Sequence, residues 1–345
     1  MGKIPVGILG ATGMVGQRFI ELLQDHPWFE VACVAASEKS TGKPYGEAVN
    51  WLMRSKLSCK ISNLPVLPAL PNLPCKVVFS SLDASIAHDI ELDFVKNGYT
   101  VITNTRNHRM HPLVPLLVPE VNADHLALLE KQNLGSGKII ANPNCSTIGL
   151  TLGLKPLQDL FGIEAVSVVT MQAISGAGYP GVASLDILDN VIPFINGEEK
   201  KMETEPLKIL GSLNAGSIFL SDIKISAQCN RVAVSDGHLL NVAVKLKSKP
   251  SLKEMIEAFQ NFTSDVQLHD LPLAPKKPIH YLNHDHYPQP KVHRDTDKGM
   301  AACIGRLREC PLFDYKFSIL SHNTIRGAAG GAILNAELML KRRLL

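Results

Sequence analysis

An α/β protein in two parts is what the sequence predicts: a doubly wound parallel sheet at the N-terminus, followed by an α+β domain. Three observations carry that prediction. Through Ala141, short apolar runs alternate with helical patterns. The first of these runs passes through a glycine-rich turn into a helix. After Cys145 the pattern changes to longer, partly alternating segments suited to a second sheet, with helices between them.

Taken in order, Ile4 to Leu9 is a short apolar run of the kind that forms a strand buried on both faces. Gly10 to Gly16 make the turn, and the helix after it carries Phe19, Leu22 and Leu23 on one side. Val31 to Ala36 is the second run, which completes a βαβ unit. Leu64 to Pro74 reads as a loop with room for an edge strand. A strand over Lys76 to Phe79, a helix over Ile86 to Lys96 and a strand over Thr100 to Thr103 follow, and Ile139 to Ala141 is the last strand of the domain. In the second domain, Val166 to Ala173 and Leu239 to Lys247 read as strands. The Pro-rich stretch from Leu271 to Pro290 reads as loop. Thr324 to Leu345 reads as a helix that begins on small residues and ends on Lys341-Arg342-Arg343, charges that suit its dipole. The first domain is therefore expected to span residues 1–144 and to be completed by the C-terminal helix over 323–345, with the second domain over 145–322.

Composition excludes several classes. The 345 residues are 45% hydrophobic and 19% charged, with a net charge of +3, which describes a globular protein without the basic stripe of a nucleic-acid binder. The seven cysteines are odd in number and form no CxxC pair, so neither a disulfide framework nor a zinc ribbon is expected. No signal peptide is visible and no apolar stretch reaches the roughly 18 residues of a membrane span. A reducing cytoplasm is the expected location. His280, His284, His286 and His293 cluster on the Pro-rich loop, but their spacing fits no standard metal site, and no metal is expected.

Gly10, Thr12, Gly13, Met14, Val15 and Gly16 stand where a phosphate-binding turn would stand, between a strand and a helix. Such a turn brings backbone N–H groups and a helix N-terminus onto a pyrophosphate, so the first domain is read as a Rossmann-like dinucleotide-binding domain. Ser80 and Ser81, at the end of a neighbouring strand, are assigned to the same crevice. The second strand ends on Ser37, followed by Lys39 and Ser40, with Lys43 nearby. Hydroxyls beside lysines suit a 2′-phosphate better than a 2′-hydroxyl, which favours NADP over NAD although Glu38 lies among them.

Cys145 follows Asn142-Pro143-Asn144 where a helix is expected to start, and a thiolate is stabilised at a helix N-terminus. Most cysteines are buried small hydrophobes, but the Pro, Asn and Ser around this one argue against a plain core position. Arg231 to His238 forms a second cluster, in which an Asp236-Gly237 turn can present His238. An imidazole is the side chain suited to exchanging a proton with a thiol near neutral pH.

Gly10 to Gly16, Asn142 to Cys145, Gln172 to Gly178, Glu198 to Lys201, Arg231 to His238 and Asn323 to Gly331 follow one another as in the aspartate-semialdehyde dehydrogenases, which the chain resembles over nearly its whole length. The longer Gln172 and Glu198 segments look most like the archaeal and fungal branch. The resemblance implies an α+β catalytic and dimerisation domain and an NADP-dependent enzyme of lysine, threonine and methionine biosynthesis. It would reduce L-aspartyl-4-phosphate to L-aspartate-4-semialdehyde through a thioester. It further implies that Cys145 is the nucleophile, His238 the acid/base and Gln172 an orienting group. By the same carry-over Arg231 binds the substrate carboxylate, Glu198 its ammonium, Arg109 and Lys201 the phosphate, with Asn144 beside them. Ser37, Ser175, Gly176 and Asn323 would touch NADP, and backbone N–H groups of the helix after Cys145 would meet the oxyanion. A homodimer or homotetramer is implied, with the second sheet at the interface, a small-molecule substrate, and no nucleic-acid or membrane partner. His286-Tyr-Pro-Gln-Pro290 departs from the family's Arg-Pro-Gln-Pro, and Thr105-Arg106 from its Ala-Lys.

Rival readings stay open at this stage. A malonyl-CoA reductase would use the same scaffold, and an N-acetyl-glutamyl-phosphate reductase would need no carboxylate at Glu198. A cysteine hydrolase would need no glycine loop, and a non-catalytic NADP-binding regulator would need neither Cys145 nor His238.

Overall fold

The computed structural model describes residues 2–345, which form two compact units. The first takes the chain up to Leu117, Asp124–Asn142 and Ala328–Leu345; the second takes Val118–Ala123 and Pro143–Gly327.

Six parallel strands make the sheet of the first unit: β1 (Ile4–Leu9), β2 (Phe29–Ala36), β3 (Val66–Pro68), β4 (Val77–Ser80), β5 (Thr100–Thr103) and β6 (Lys138–Ala141). Their order is β3-β2-β1-β4-β5-β6, so the chain grows outward from β1 in one direction and from β4 in the other. Helices α1 (Met14–Leu23) and α2 (Ala84–Lys96) are among its connections. α1 buries Phe19, Ile20 and Leu23, while Leu22 is half-buried. The rings of Phe19 and Phe29 both meet Phe79 from β4, at centroid distances of 5.0 and 6.4 Å. Ser58 and Asp83 each cap a helix start with a side-chain oxygen, as short polar residues do before apolar runs.

The second unit starts its main run with α3 (Cys145–Phe161), a helix buried on nearly all sides, which lies against a mixed sheet. That sheet contains β7 (Ile163–Gln172), β10 (Lys224–Arg231), β11 (His238–Leu246), β12 (Ile279–Leu282), β13 (Ala302–Glu309) and β14 (Tyr315–Ser321) in the order β10-β7-β11-β14-β13-β12. A small hairpin, β8 (Ser212–Asn214) with β9 (Ser217–Phe219), follows α4 (Glu198–Ile209), and α5 (Leu252–Gln260) follows β11. Gly149 and Gly153 let α3 come down on β14, because a Cβ there would meet Ser321 and Ile319. β11 alternates buried residues with half-buried or exposed Leu239, Asn241, Ala243 and Lys245, so one sheet face is packed and the other open.

Three sequence expectations need correction. The Pro-rich stretch contains a strand, β12, which pairs in parallel with β13 at the sheet edge, where prolines before and after it break no ladder. The C-terminal helix is not continuous from Thr324: a π-type turn over Ile325–Ala329 precedes α6 (Gly330–Lys341). The boundary at Asn323 moves with it, because Asn323–Gly327 belongs to the second unit, as does Val118–Ala123 from within the first domain's sequence. The physical reason is a buried ion pair. Arg326 in the wide turn donates to both carboxylate oxygens of Glu120, at 2.8 and 2.5 Å, with both side chains buried. Among the described residues no helix is long and apolar enough to cross a membrane.

Removing one partner of such a pair leaves the other charge buried alone. Glu120→Ala is therefore expected to lower the unfolding free energy by about 3–5 kcal/mol, read as a lower midpoint in urea; an unchanged midpoint would show that the pair does not hold this turn.

Candidate active site

In the first unit the glycine turn sits where the sheet order reverses, between β1 and β4. Gly10 takes φ +77°, and a Cβ on it would lie 2.6 Å from Ser81 O, so no other residue fits the turn. Gly16 is equally constrained, since its Cβ would run into the Gly10 carbonyl. The Ser81 hydroxyl donates to Leu9 O at 3.0 Å and ties the β4 end to the β1 end. Gly13 is the N-cap of α1, without a side-chain cap and without an acidic residue in the first turn. Nothing lies closer than 3.5 Å to a Cβ built on it. Thr12, Met14 and Val15 are half-buried around it, so the helix N-terminus faces open space with its positive dipole end unmatched by any side-chain carboxylate. Tyr45, which the sequence reading did not single out, donates its buried hydroxyl to Ala11 O at 2.8 Å and fixes the loop from below. At the end of β2, Ser37 O accepts the Ser40 N–H at 2.9 Å, forming a turn that leaves Ser37 and Lys39 exposed. Ser80 ends β4 fully buried. Arg109 also belongs to this unit; it is buried and donates to Asn104 O at 2.7 Å.

The second unit brings together the ends of three strands and the start of a helix. Asn144 caps α3: its Oδ1 accepts from the N–H groups of Ser146 at 3.0 Å and Thr147 at 3.2 Å. Cys145 is thereby the first helical residue, half-buried, with its Sγ 3.2 Å from His238 Nε2. Parallel pairing of β10 with β7 sets Arg231 beside Gln172, and antiparallel pairing of β11 with β7 starts His238 beside the same end. Gln172 is buried and donates to Thr170 Oγ1 at 3.2 Å. The Arg231 guanidinium donates to Ala173 O at 2.7 Å, and burial pulls its pKa below the usual arginine value.

His238 is fully buried. Its Nδ1 accepts the Ala173 backbone N–H at 3.1 Å, which leaves the ring proton on Nε2, toward the sulfur. Burial pushes its pKa down to about 3; Glu198 opposes that shift, while Arg231 and His322 add to it. The pair can thus set an N–H donor against a thiolate at a helix N-terminus. The sequence reading assigned backbone N–H groups of this helix to an oxyanion; those of Ser146 and Thr147 are taken by the Asn144 cap.

Glu198 opens α4, where its Oε1 accepts from Asn144 Nδ2 at 2.8 Å and its Oε2 meets Lys201 Nζ at 2.9 Å. Burial pushes its carboxyl up, but the Lys201 charge and the hydrogen bonds from Lys201 and Asn144 outweigh that and leave it below the usual range. Ser175 and Asn323 are joined as well: Asn323 Nδ2 donates to Ser175 Oγ at 2.8 Å, and its Oδ1 accepts the Gly237 N–H at 2.8 Å, bracing the turn before His238. Gly176 must lack a side chain, because its Cβ would lie 2.8 Å from Arg231 Nη1 and 3.2 Å from His238 Cε1.

Cys145, His238, Gln172, Arg231, Asn144, Glu198, Lys201, Ser175, Gly176 and Asn323 are thus neighbours within one unit, whereas Arg109, which the sequence reading set with Lys201, belongs to the other. Three supporting residues had escaped that reading. Glu205 accepts the Asn144 N–H at 2.7 Å; its spacing of seven from Glu198, on one helix face, was the available signal. Gly327 passes so close to Cys145 that a Cβ would lie 2.8 Å from the cysteine Cβ. Arg294, which bridges Ser235 Oγ at 2.9 Å and Asp236 O at 3.1 Å, left no sequence signal at all. Among the described residues no three His, Cys, Asp or Glu side chains form a metal-holding group. His280 instead pairs with Asp297 at 2.9 Å, and His284 stacks on Tyr287.

Residues 5–129 match the family model for the semialdehyde dehydrogenase NAD binding domain, and residues 154–326 match the semialdehyde dehydrogenase dimerisation domain. The chain is 47% identical to the aspartate-semialdehyde dehydrogenase of Archaeoglobus fulgidus over 347 residues, covering 99% of this chain and 100% of that one. It is 44% identical over 364 residues to that of Saccharomyces cerevisiae, with 100% of both chains covered. Among solved structures, aspartate semialdehyde dehydrogenase with NADP from Candida albicans has a TM-score of 0.92 at 42% identity, covering 99% of this chain and 100% of that one.

The geometry makes two predictions. Gly327→Ala is expected to displace Cys145 from His238 and lower turnover by about a hundredfold, with slower alkylation of Cys145 by iodoacetamide; unchanged values would mean that the backbone yields freely there. The second concerns acid stability. An unfolded histidine binds a proton near pH 6.5, whereas His238 in the fold does so only at about 3. Its contribution is fully present above about pH 6.5 and is lost as pH falls toward 3, because the unfolded chain then binds the extra proton. Thermal midpoints of His238→Asn should accordingly fall less steeply over that window than those of the wild type; parallel curves would refute the assignment.

Proposed function

The chain belongs to the aspartate-semialdehyde dehydrogenase family, and on that footing we propose that it catalyses the NADP-dependent reductive dephosphorylation of L-aspartyl-4-phosphate to L-aspartate-4-semialdehyde, a step of amino-acid biosynthesis. The observation that carries the mechanism is the Cys145 Sγ to His238 Nε2 contact of 3.2 Å at the start of a capped, buried helix. The Cys145 thiolate attacks the acyl carbon, phosphate leaves, and a thioester remains; covalent catalysis divides the acyl reduction into two easier steps. Bound NADPH supplies the hydride that reduces this thioester. His238 holds its Nε2–H at the sulfur, where it stabilises the thiolate before attack and again as the carbon–sulfur bond breaks and the aldehyde departs.

The residues of the first unit fit such a cofactor. An uncapped helix N-terminus over a Cβ-free turn is suited to a pyrophosphate, and exposed Ser37 and Lys39 with Ser40 suit a 2′-phosphate. Gly10, Thr12, Gly13, Met14, Val15, Gly16, Ser80 and Ser81 are assigned to this site. Arg231 takes the substrate carboxylate with its planar fork, and Glu198, kept ionised, takes the ammonium. Arg109 and Lys201 take the phosphate, while Gln172 and Asn144 orient the acyl group. Lys201 Nζ lies 2.9 Å from the Glu198 carboxylate, so substrate binding exchanges one ammonium for another at that carboxylate. We assign the open face of the second sheet to a homodimer contact in a cytoplasmic enzyme.

Phosphate-dependent reduction of NADP by L-aspartate-4-semialdehyde, run beside malonate semialdehyde with CoA, tests the reading. Turnover with the first pair alone is expected; turnover with the CoA pair alone would overturn the roles of Glu198, Arg109 and Lys201. Cys145→Ser should lose about a thousandfold or more in kcat while binding NADP as before.

A further inference from the structure

We propose that Glu91 is a positioning residue for phosphate binding: from inside the first unit it gathers the segment that carries Arg109 and so aims that guanidinium. This deepens the reading above and rests on its assignment of Arg109 to the phosphate.

Glu91 stands where an apolar side chain would be expected. The buried positions of α2 are Ala87, Glu91, Phe94 and Val95, one face of the helix turned to the core. The Glu91 side chain is fully buried, and a carboxylate is costly there unless it is bonded. Its partners come from the short segment that begins at the end of β5. Thr103 Oγ1 donates to Oε1 at 2.6 Å, and Thr105 Oγ1 donates to Oε2 at 3.2 Å. His108 Nε2 lies 3.2 Å from Oε2, and the His88 ring from α2 stacks on the His108 ring at a centroid distance of 4.9 Å.

The residue between the two threonines sets the arginine. Asn104 O accepts from Arg109 Nη2 at 2.7 Å. The Thr105 N–H donates to Thr103 Oγ1 at 2.9 Å, so the chain around Asn104 closes on itself while both hydroxyls rest on the carboxylate. The Asn104 N–H donates to Ser80 O at 2.9 Å, and its side-chain oxygen accepts from Asn142 Nδ2 at 2.8 Å. Held on both sides, the Asn104 carbonyl has one direction, and Arg109 follows it. Asn107 Nδ2 also donates to Ala84 O at 2.9 Å, which ties the same segment to the start of α2.

An arginine that moves freely must give up its rotamer freedom when it binds an anion, whereas one already held has little left to lose. Glu91 thereby strengthens phosphate binding without touching the phosphate. Its effect belongs to affinity for the anion, and the chemistry at Cys145 does not depend on it.

The test titrates inorganic phosphate alone into the substrate-free full chain, reading binding from the rise in thermal midpoint, with NADP titrated in the same way. Arg109→Ala is expected to weaken phosphate binding about tenfold or more. Glu91→Gln, which replaces one acceptor oxygen by an amide donor, should weaken it about fivefold while the NADP constant stays within about twofold of the wild type. In turnover, the KM for phosphate should rise by the same factor with kcat kept at saturating phosphate. A phosphate constant unchanged in Glu91→Gln would overturn the proposal. A loss in parallel with NADP would overturn it too, because general loosening would then explain both. If Glu91→Gln does not fold, Thr105→Ala decides in the same way; it removes one hydroxyl and restores the alanine usual in the family. Should Arg109→Ala bind phosphate as the wild type does, the phosphate role of Arg109 falls and the proposal falls with it. The titrations use no substrate, so a failed semialdehyde assay would refute the substrate reading alone.

Discussion

Asn144 is the residue on which the geometry of the thiol site depends. Its side-chain oxygen takes the N–H groups of Ser146 and Thr147 in the first turn of α3, its side-chain nitrogen donates to Glu198, and its own N–H donates to Glu205. One buried amide therefore fixes both the helix that begins with Cys145 and the carboxylate that opens α4. Capping alone is worth about 1 kcal/mol. The larger consequence is positional, since Cys145 and the Glu198 carboxylate cannot move independently. Gly327 closes the other side of Cys145, where no side chain fits.

Strand ends supply the remaining groups. A sheet interior uses its backbone groups in the ladder, whereas at a strand end the backbone is free to bond elsewhere. The end of β7 shows this: past the last ladder pair, the Ala173 N–H turns to His238 and the Ala173 carbonyl turns to Arg231. Gln172, Arg231 and His238 are thereby set by the register of three strands rather than by flexible loops. The first unit uses the same economy of backbone. Its strand order reverses between β1 and β4, and the glycine turn opens there because Gly10 and Gly16 allow the chain to fold onto itself.

Charge is arranged so that a neutral ring lies among ionised groups. Glu198 is kept ionised by Lys201 and Asn144, and Arg231 stays buried with Cys145 and Glu198 favouring its charge. Lys208 and Glu205 repeat the pairing two turns further along α4, where burial pulls the lysine down to about 8 and the Glu205 charge opposes it. In this setting burial and the direction of one backbone N–H keep the resting His238 ring neutral.

Local pattern was enough to determine the parallel first sheet and the glycine turn and to single out Cys145 and the Arg231 to His238 segment, whereas Gln172, Glu198 and Lys201 were grouped with them only by the family resemblance. Apolar runs bounded by turn residues reveal strands, and a Pro-Asn-Cys before a helix reveals a capped thiol. What depends on contacts between distant segments was not legible. β12 inside the Pro-rich stretch exists because β13 offers it an edge, and the wide turn at Ile325–Ala329 exists because Arg326 reaches Glu120, 206 residues earlier. Arg294 and the Ala173 N–H act through bonds that no local pattern encodes. Residue types could say that a histidine serves the cysteine; which nitrogen carries its proton was decided only when the fold brought the end of β7 against the start of β11.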